Sequence, residues 1–300
     1  MKTKIKNFID YFKYLDNPIS ALKFKFKFTD NCELKIKQNS IHINSISVLD
    51  TIMRRIPLVT ENKFEEFIQY ITELSNDEPI VTINSIKYQN IVNSDFINRN
   101  PSIEFNTCIE EYFSDGEWDM INFNNRHVID IGGNVADTAL DFAKNGAEVL
   151  SFEPVKHLYK LGLENIELNP QLKNKITFIN KGVGGKKGIL EINNGSTKGY
   201  INNQDNYSVE VITIKDIINN YNFEPDILKM DCEGCEFEIV INEDLTMFKD
   251  IILEHHSKLT GKNYNIIINE LKKQGFKIHT YPCTSSSLPF EDIGLIHAFK

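Results

Sequence analysis

The chain has 300 residues, 41% of them hydrophobic and 25% charged, with a formal net charge of −9. That length supports a sizeable core with room for two units, and without a run of about eighteen apolar residues no segment is expected to span a membrane. The negative balance repels a phosphate backbone, so no nucleic-acid partner is expected.

Residues 1–16 place Ile5, Phe8, Ile9, Phe12 and Leu15 at helical spacing. The helix reads as one packed on its own domain rather than lying on a membrane. The same segment lacks an uninterrupted apolar stretch and a small-residue cleavage site, so it does not read as a secretory signal, and the cytoplasm is the expected compartment. Next comes KFKFKF, residues 23–28, whose alternation predicts a strand with Phe24, Phe26 and Phe28 on one face. Interleaved Lys and Phe also suit a base-stacking surface. The half-buried strand is preferred, because Asp30-Asn31 follows as a turn and CELKIK continues as a partner. Ser40–Ser47 predicts a third strand, and SVLDTIMRRI and NKFEEFIQYITEL predict helices, the second with Phe64, Phe67, Ile68, Ile71 and Leu74 on one face. Residues 1–103 therefore read as a small α+β unit with no motif that assigns its role.

From residue 104 to 300 strands and helices alternate. HVIDIG, EVLSFEP, ITFINK, DILKMD and IILEHH read as strands, with GILEI and VEVITI as further short β segments. NVADTALDFAKNG, KHLYKLGLENIELNP, FEIVINEDL and NYNIIINELKKQG read as helices, stopped at Gly146, Pro170 and Gly275 where those residues occur. Such alternation implies an α/β, Rossmann-like fold with a mostly parallel sheet. The last two strands, FKIHTY and GLIHAF, follow each other without a helix and imply an antiparallel strand at one edge.

Ligands of open α/β sheets bind at the carboxyl ends of the strands. After the first strand come Asp130, Gly132, Gly133 and Asn134. The glycines permit a sharp turn and a close backbone approach. Asn134 stands where a dinucleotide fingerprint needs its second glycine, and Asp130 suits an amine or a positive charge better than a pyrophosphate. After the second strand, Glu153-Pro154 puts a carboxylate where it can accept ribose hydroxyls. After DILKMD, the carboxylates of Asp231, Glu233 and Glu236 crowd one strand mouth, which costs stability unless something uses them. Glu254, His255 and His256 end the next strand. If the two strands are neighbours, Asp231, Glu233, Glu254 and His255 converge on one crevice, where a general base or a hard-cation site could be built.

In that order, DIGGNVADTAL, LSFEP, LENIELN, LKMDCEGCEFEIV and ILEHH resemble the FkbM family of S-adenosylmethionine-dependent methyltransferases. Asp130, Gly132 and Asn134 match the family's D-x-G-x-N, Phe152–Pro154 its F-E-P, and Asn165 and Asn169 its paired asparagines. Lys229, Asp231, Glu233, Gly234 and Glu236 match its K-x-D-x-E-G-x-E. Ala136 departs from the loop's last glycine, and Gly185 from a position that is commonly acidic. The resemblance implies methyl transfer from S-adenosyl-L-methionine to a hydroxyl, on a small-molecule or saccharide acceptor. It implies that Gly132 and Gly133 approach the methionine part, with Asp130, Asn134 and Asp231 near it. Glu153 and Pro154 would hold the ribose, and Asn180, Lys181 and Gly182 the adenine edge. Asp231 or Glu233 would be the general base, with Glu254 and His255 in support. No metal ligands are assigned; a Mg²⁺ shared by these acids is a less favoured alternative.

The resemblance places Cys232 and Cys235 at variable positions of the last motif. Together with Cys32, Cys108 and Cys283, an odd and scattered set, they are expected to be reduced thiols. Zinc at Cys232 and Cys235 would need two more ligands, such as Cys283 and one of His255, His256 or His279, and no second CxxC supplies them. Three other function classes remain open at this level. One is a cofactor-binding module of the same fold without activity, motivated by Ala136. Another is a nicotinamide-dependent oxidoreductase, disfavoured by the broken glycine pattern. The third is a nucleic-acid methyltransferase, disfavoured by the acidic charge and supported only by the KFKFKF segment.

Overall fold

A computed structural model describes residues 9–90, 109, 111–113, 118, 120–192, 207–283 and 288–300. The chain divides into two units, Met1–Gly116 and Glu117–Lys300.

In the first unit, residues 9–14 are helical, with Tyr11 and Leu15 buried and Ile9 and Phe12 exposed. Ile5 and Phe8 of the expected stripe lie outside the described residues. The KFKFKF strand is corrected. Its first half belongs to a helix, α1 (Pro18–Lys25), and Lys27 then turns the chain at φ 59. Pro18 in the first turn is preorganised for a helix. One face of that helix buries Ala21 and Phe24, while Phe26 and Phe28 are exposed at 63% and 78%. Three alternating pairs are too short a signal to outweigh that packing. The partner of β1 (Cys32–Ile36) is instead β2 (Asn39–Ile43), paired antiparallel from Cys32↔Ile43 to Ile36↔Asn39. Helices α2 (Ile46–Arg55) and α3 (Phe64–Ser75) follow as expected, and α3 buries Phe64, Phe67, Ile68, Ile71 and Leu74. A second hairpin, β3 (Ile80–Ile83) with β4 (Ile86–Gln89), completes the described part.

The second unit carries the Rossmann-like sheet. Its strands are β5 (His127–Ile131), β6 (Glu148–Phe152), β7 (Ile176–Ile179), β11 (Ile227–Met230), β12 (Asp250–His255), β13 (Lys277–Pro282) and β14 (Gly294–Phe299). Their order is β13-β14-β12-β11-β5-β6-β7. β14 alone runs antiparallel to its neighbours β12 and β13, and the other pairs are parallel. The antiparallel strand thus lies one place in from the edge. Helices α4 (Asp137–Lys144), α5 (Lys156–Glu167), α6 (Pro170–Lys173), α7 (Ile214–Tyr221), α8 (Glu236–Asn242), α9 (Ser257–Thr260) and α10 (Asn265–Lys273) alternate with the strands. The two short segments read from sequence form a separate three-stranded sheet, β8 (Gly182–Val183), β10 (Tyr207–Ile212) and β9 (Gly188–Ile192), in the order β8-β10-β9. The core gathers Ile129 and Ile131 of β5, Leu228 and Met230 of β11, Ile251 and Leu253 of β12, and Phe237, Ile267 and Leu271 of the helices. Each side chain of that size contributes about 1.5–3 kcal/mol by leaving water. Among the described residues no helix is long and apolar enough to cross a membrane.

Candidate active site

The register sets the site. Ile131 pairs with Met230, Met230 with Leu253, and Ile131 with Phe152. The strands β6, β5 and β11 therefore end in step, followed by Glu153, Gly132-Gly133 and Asp231, and Glu254 lies beside them within β12, one residue past Leu253.

The glycine turn is built by close approach. Gly132 has φ +84, and a Cβ there would lie 1.8 Å from the Asp231 backbone oxygen. A Cβ on Gly133 would lie 2.2 Å from Ser151 Oγ. Both glycines thus let loops and strands touch. Asn134 and Ala136 continue the turn in the left-handed region, at φ 45 and 63, a conformation that asparagine tolerates and that strains alanine. Ala136 occupies the place of the absent glycine and is fully buried.

Asp130 already has its positive partner. Lys229 Nζ lies 3.0 Å from Asp130 Oδ1 and donates to Gly132 O at 3.0 Å. Asp130 Oδ2 accepts from Ser151 Oγ at 2.7 Å and Thr138 Oγ1 at 3.1 Å. Burial would lower the Lys229 pKa, but the charges of Asp130 and Asp231 outweigh it and raise the value. The pair braces the floor of the turn from inside the sheet.

Glu153 faces that turn. Its Oε2 accepts from Asn134 N at 2.9 Å and its Oε1 from Val155 N at 2.7 Å. A carboxylate offers about four acceptor positions, so two directions remain for other donors. Burial pushes its pKa up to about 8, against the pull of those two backbone donors. Asn180 Nδ2 donates to Glu153 O at 2.8 Å and Pro154 O at 3.1 Å, and so fixes the turn that carries the acid. Lys181 pairs with Glu210 at 2.8 Å, and Gly182 opens β8. Asp137, in the first turn of α4, has a buried Oδ1 with no hydrogen-bond partner, and burial raises its pKa to about 6.

The acids gather around a histidine, and it is His256. Its Nδ1 is 3.2 Å from Glu236 Oε1. Its Nε2 is 3.5 Å from Glu254 Oε1 and 3.8 Å from both Asp231 Oδ1 and Glu233 Oε2. Burial would lower the His256 pKa, but the Glu236 hydrogen bond and the surrounding charges raise it to about 10. His255 lies apart from the carboxylates. It is buried between Tyr264 and Phe290, at ring distances of 5.2 and 4.9 Å, with Nδ1 3.0 Å from Ser257 Oγ. Burial pulls its pKa down to about 4. The expected set thus brings together Asp231, Glu233 and Glu254, and leaves His255 in an aromatic pocket. Lys229, Glu236 and His256 were not singled out for roles from sequence. At the tandem His255-His256 the strand ends, and strand alternation no longer says which ring faces the crevice. The acid at the start of α4, Asp137, reads from sequence as an ordinary partner of a helix N-terminus.

Cys232 and Cys235 form a disulfide, which corrects the expectation of reduced thiols there. Both flank Glu233 and Gly234, whose positive φ values of 57 and 118 fold the loop tightly enough for the sulfurs to meet. Cys32 and Cys283 are buried and take part in no disulfide, and Cys108 lies outside the described residues.

Residues 130–278 match the family model described as the methyltransferase FkbM domain. This part of the chain is a methyltransferase FkbM domain. Among solved structures, the chain is similar to methyltransferase FkbM from Methylobacillus flagellatus, with 14% identity and a TM-score of 0.43, covering 85% of this chain and 62% of that one. It is similar to M. capricolum TrmK in complex with S-adenosyl-homocysteine, with 15% identity, a TM-score of 0.38, and 59% and 63% of the two chains covered. It is also similar to an O-methyltransferase from Bacillus cereus in complex with SAH, with 11% identity, a TM-score of 0.35, and 58% and 74% covered. The chain thus spans less than two thirds of the length of the FkbM methyltransferase it matches. No curated protein matches it in sequence.

Proposed function

We propose that this chain is an S-adenosylmethionine-dependent methyltransferase that methylates a hydroxyl on a small molecule or glycan. One observation supports the reading: the glycine turn, Glu153 and Asp231 follow the ends of three neighbouring parallel strands in register. The residues present suit the cofactor. Glu153 keeps two acceptor directions for ribose hydroxyls. Asp137 offers a buried oxygen without a partner, which suits the amine of the methionine part. The backbone at Asn180–Gly182 borders the adenine side. The cofactor, when bound, supplies a methyl group on a sulfonium, a leaving group that needs no acid.

The chain's own task is then orientation and proton removal. The methyl carbon bonds to the acceptor oxygen as the carbon–sulfur bond breaks, and the hydroxyl proton passes to a carboxylate. Asp231 is placed for this, half-exposed where the two loops touch, with Glu233 the other carboxylate at the mouth. Glu254 and His256 hold them in place.

The test is calorimetry with S-adenosylmethionine, followed by transfer of labelled methyl to a panel of hydroxylated acceptors. Asp231→Asn is expected to lower kcat by about a hundredfold or more, the usual share of a general base, with little change in cofactor affinity. A chain that takes up neither cofactor nor label would refute the reading.

A further inference from the structure

The two ring nitrogens of His256 have unequal surroundings. Nδ1 lies 3.2 Å from Glu236 Oε1, which also accepts the Cys232 backbone N–H at 2.9 Å. Nε2 faces Glu254 at 3.5 Å and Asp231 and Glu233 at 3.8 Å. Those separations are long for hydrogen bonds, yet three carboxylates share one nitrogen. Two ligands of an octahedral first-row ion, each about 2.1 Å from it, stand about 3.0 Å apart. The cluster is therefore about 0.5–0.8 Å wider than a filled site.

Two further observations point to a cation. A carboxylate on one imidazole nitrogen with the other left open is the arrangement that fixes the tautomer of a metal-binding histidine. Glu236 is completely buried, and its Oε2 has no hydrogen-bond partner, a cost nothing else in the cluster offsets. One ligand atom from each of Asp231, Glu236 and His256 lies within 4.8 Å of the others. Four carboxylates around one imidazole also leave an excess of negative charge in a half-closed crevice.

We propose that this crevice binds one divalent cation of the Mn²⁺ class, with His256 Nε2, Asp231 and Glu254 as ligands, Glu233 at the outer edge and Glu236 orienting the imidazole. A donor set of one imidazole nitrogen and several carboxylates suits Mn²⁺ better than Mg²⁺, which favours an all-oxygen shell rich in water. This goes beyond the transferase reading and does not depend on it, since the ligands are the chain's own; with Asp231 on the ion, Glu233 at the outer edge is the carboxylate left to take the hydroxyl proton.

The experiment is calorimetric titration of the full chain, disulfide intact, with MnCl₂, and in parallel arms with MgCl₂ and ZnCl₂. Expected are about one Mn²⁺ per chain, weaker Mg²⁺ binding, and at least tenfold weaker Mn²⁺ binding in both Asp231→Asn and His256→Gln. Glu236→Gln is expected to weaken it by about tenfold, the scale of an outer-shell partner. Asp231 is half-exposed, so its variant keeps the test valid if His256→Gln fails to fold, which circular dichroism would reveal. Absence of saturable Mn²⁺ binding, or an Asp231→Asn chain that binds as tightly as the parent, overturns the proposal. So does Zn²⁺ binding that vanishes in Cys232→Ser but survives Asp231→Asn, because the ion would then sit on thiols. A separate titration with S-adenosylmethionine tells failure of the cation site from failure of the transferase reading.

Discussion

Lys229 and Asp130 place opposite charges 3.0 Å apart with almost no contact with water. Removing one partner of such a pair leaves the other buried and unpaired, which costs about 3–5 kcal/mol. Lys229→Met should lose that much in urea denaturation, and adding Asp130→Asn should recover part of it, since coupled neighbours are not additive. Glu153 predicts a pH dependence. Its folded pKa is raised to about 8 from an ordinary 4.5. Between those values the folded chain holds the extra proton, so stability that is fully present below the unfolded pKa is lost as pH rises through the folded one. Glu153→Gln should flatten this limb in melting temperatures taken from about pH 5 to about pH 9. It should also weaken S-adenosylmethionine by about fivefold, the worth of one hydrogen bond of about 1 kcal/mol. Glu233 sits at φ 57. Left-handed backbone costs a residue with a Cβ about 1–2 kcal/mol, and glycine gives back about 0.5–1 kcal/mol through its unfolded-state freedom. Glu233→Gly should therefore gain about 0.5–1 kcal/mol in denaturation midpoint experiments while transfer falls.

At the scale of elements, the glycine turn and the Asp231 loop are fitted to each other. An added methyl at Gly132 would fall 1.8 Å from backbone rather than against a movable side chain, and φ +84 disfavours it independently. Gly132→Ala should cost about 3 kcal/mol, in the upper range for overpacking, and should spread the crevice enough to abolish cofactor heat in calorimetry. The motif strands and helices of the second unit were legible because several signals agreed: apolar runs of strand length, glycine or proline stops, and acids just past the strand ends. α1 departs from the expected strand because Pro18 starts a helix that buries Ala21 and Phe24, which outweighs three alternating pairs. The site was legible as a set of acids but not as an arrangement. Nothing in the string HH says which ring enters the carboxylates, and Asp130 reads the same whether it awaits a ligand's amine or already holds a lysine from the adjacent strand.

At the scale of the whole molecule, the elements that carry the proposed site all lie within Glu117–Lys300. That segment carries its own sheet and core. Expressed alone, residues 117–300 should unfold in one cooperative thermal transition and bind S-adenosylmethionine; a broad, non-cooperative melt would show that the first unit is required.

The sequence by itself determined the order of strands and helices, the mostly parallel sheet, the family and the strand ends that carry the chemistry. These follow from local periodicity and from motif residues that sit next to one another in the chain, and the strand ends are those of the proposed site. Only the tertiary structure decided that Asp130 is spent on Lys229, that His256 rather than His255 stands among the acids, and that Cys232 and Cys235 are joined. Each of those depends on which side chains meet across neighbouring strands or a folded loop, and register and burial set such meetings, not spacing along the chain.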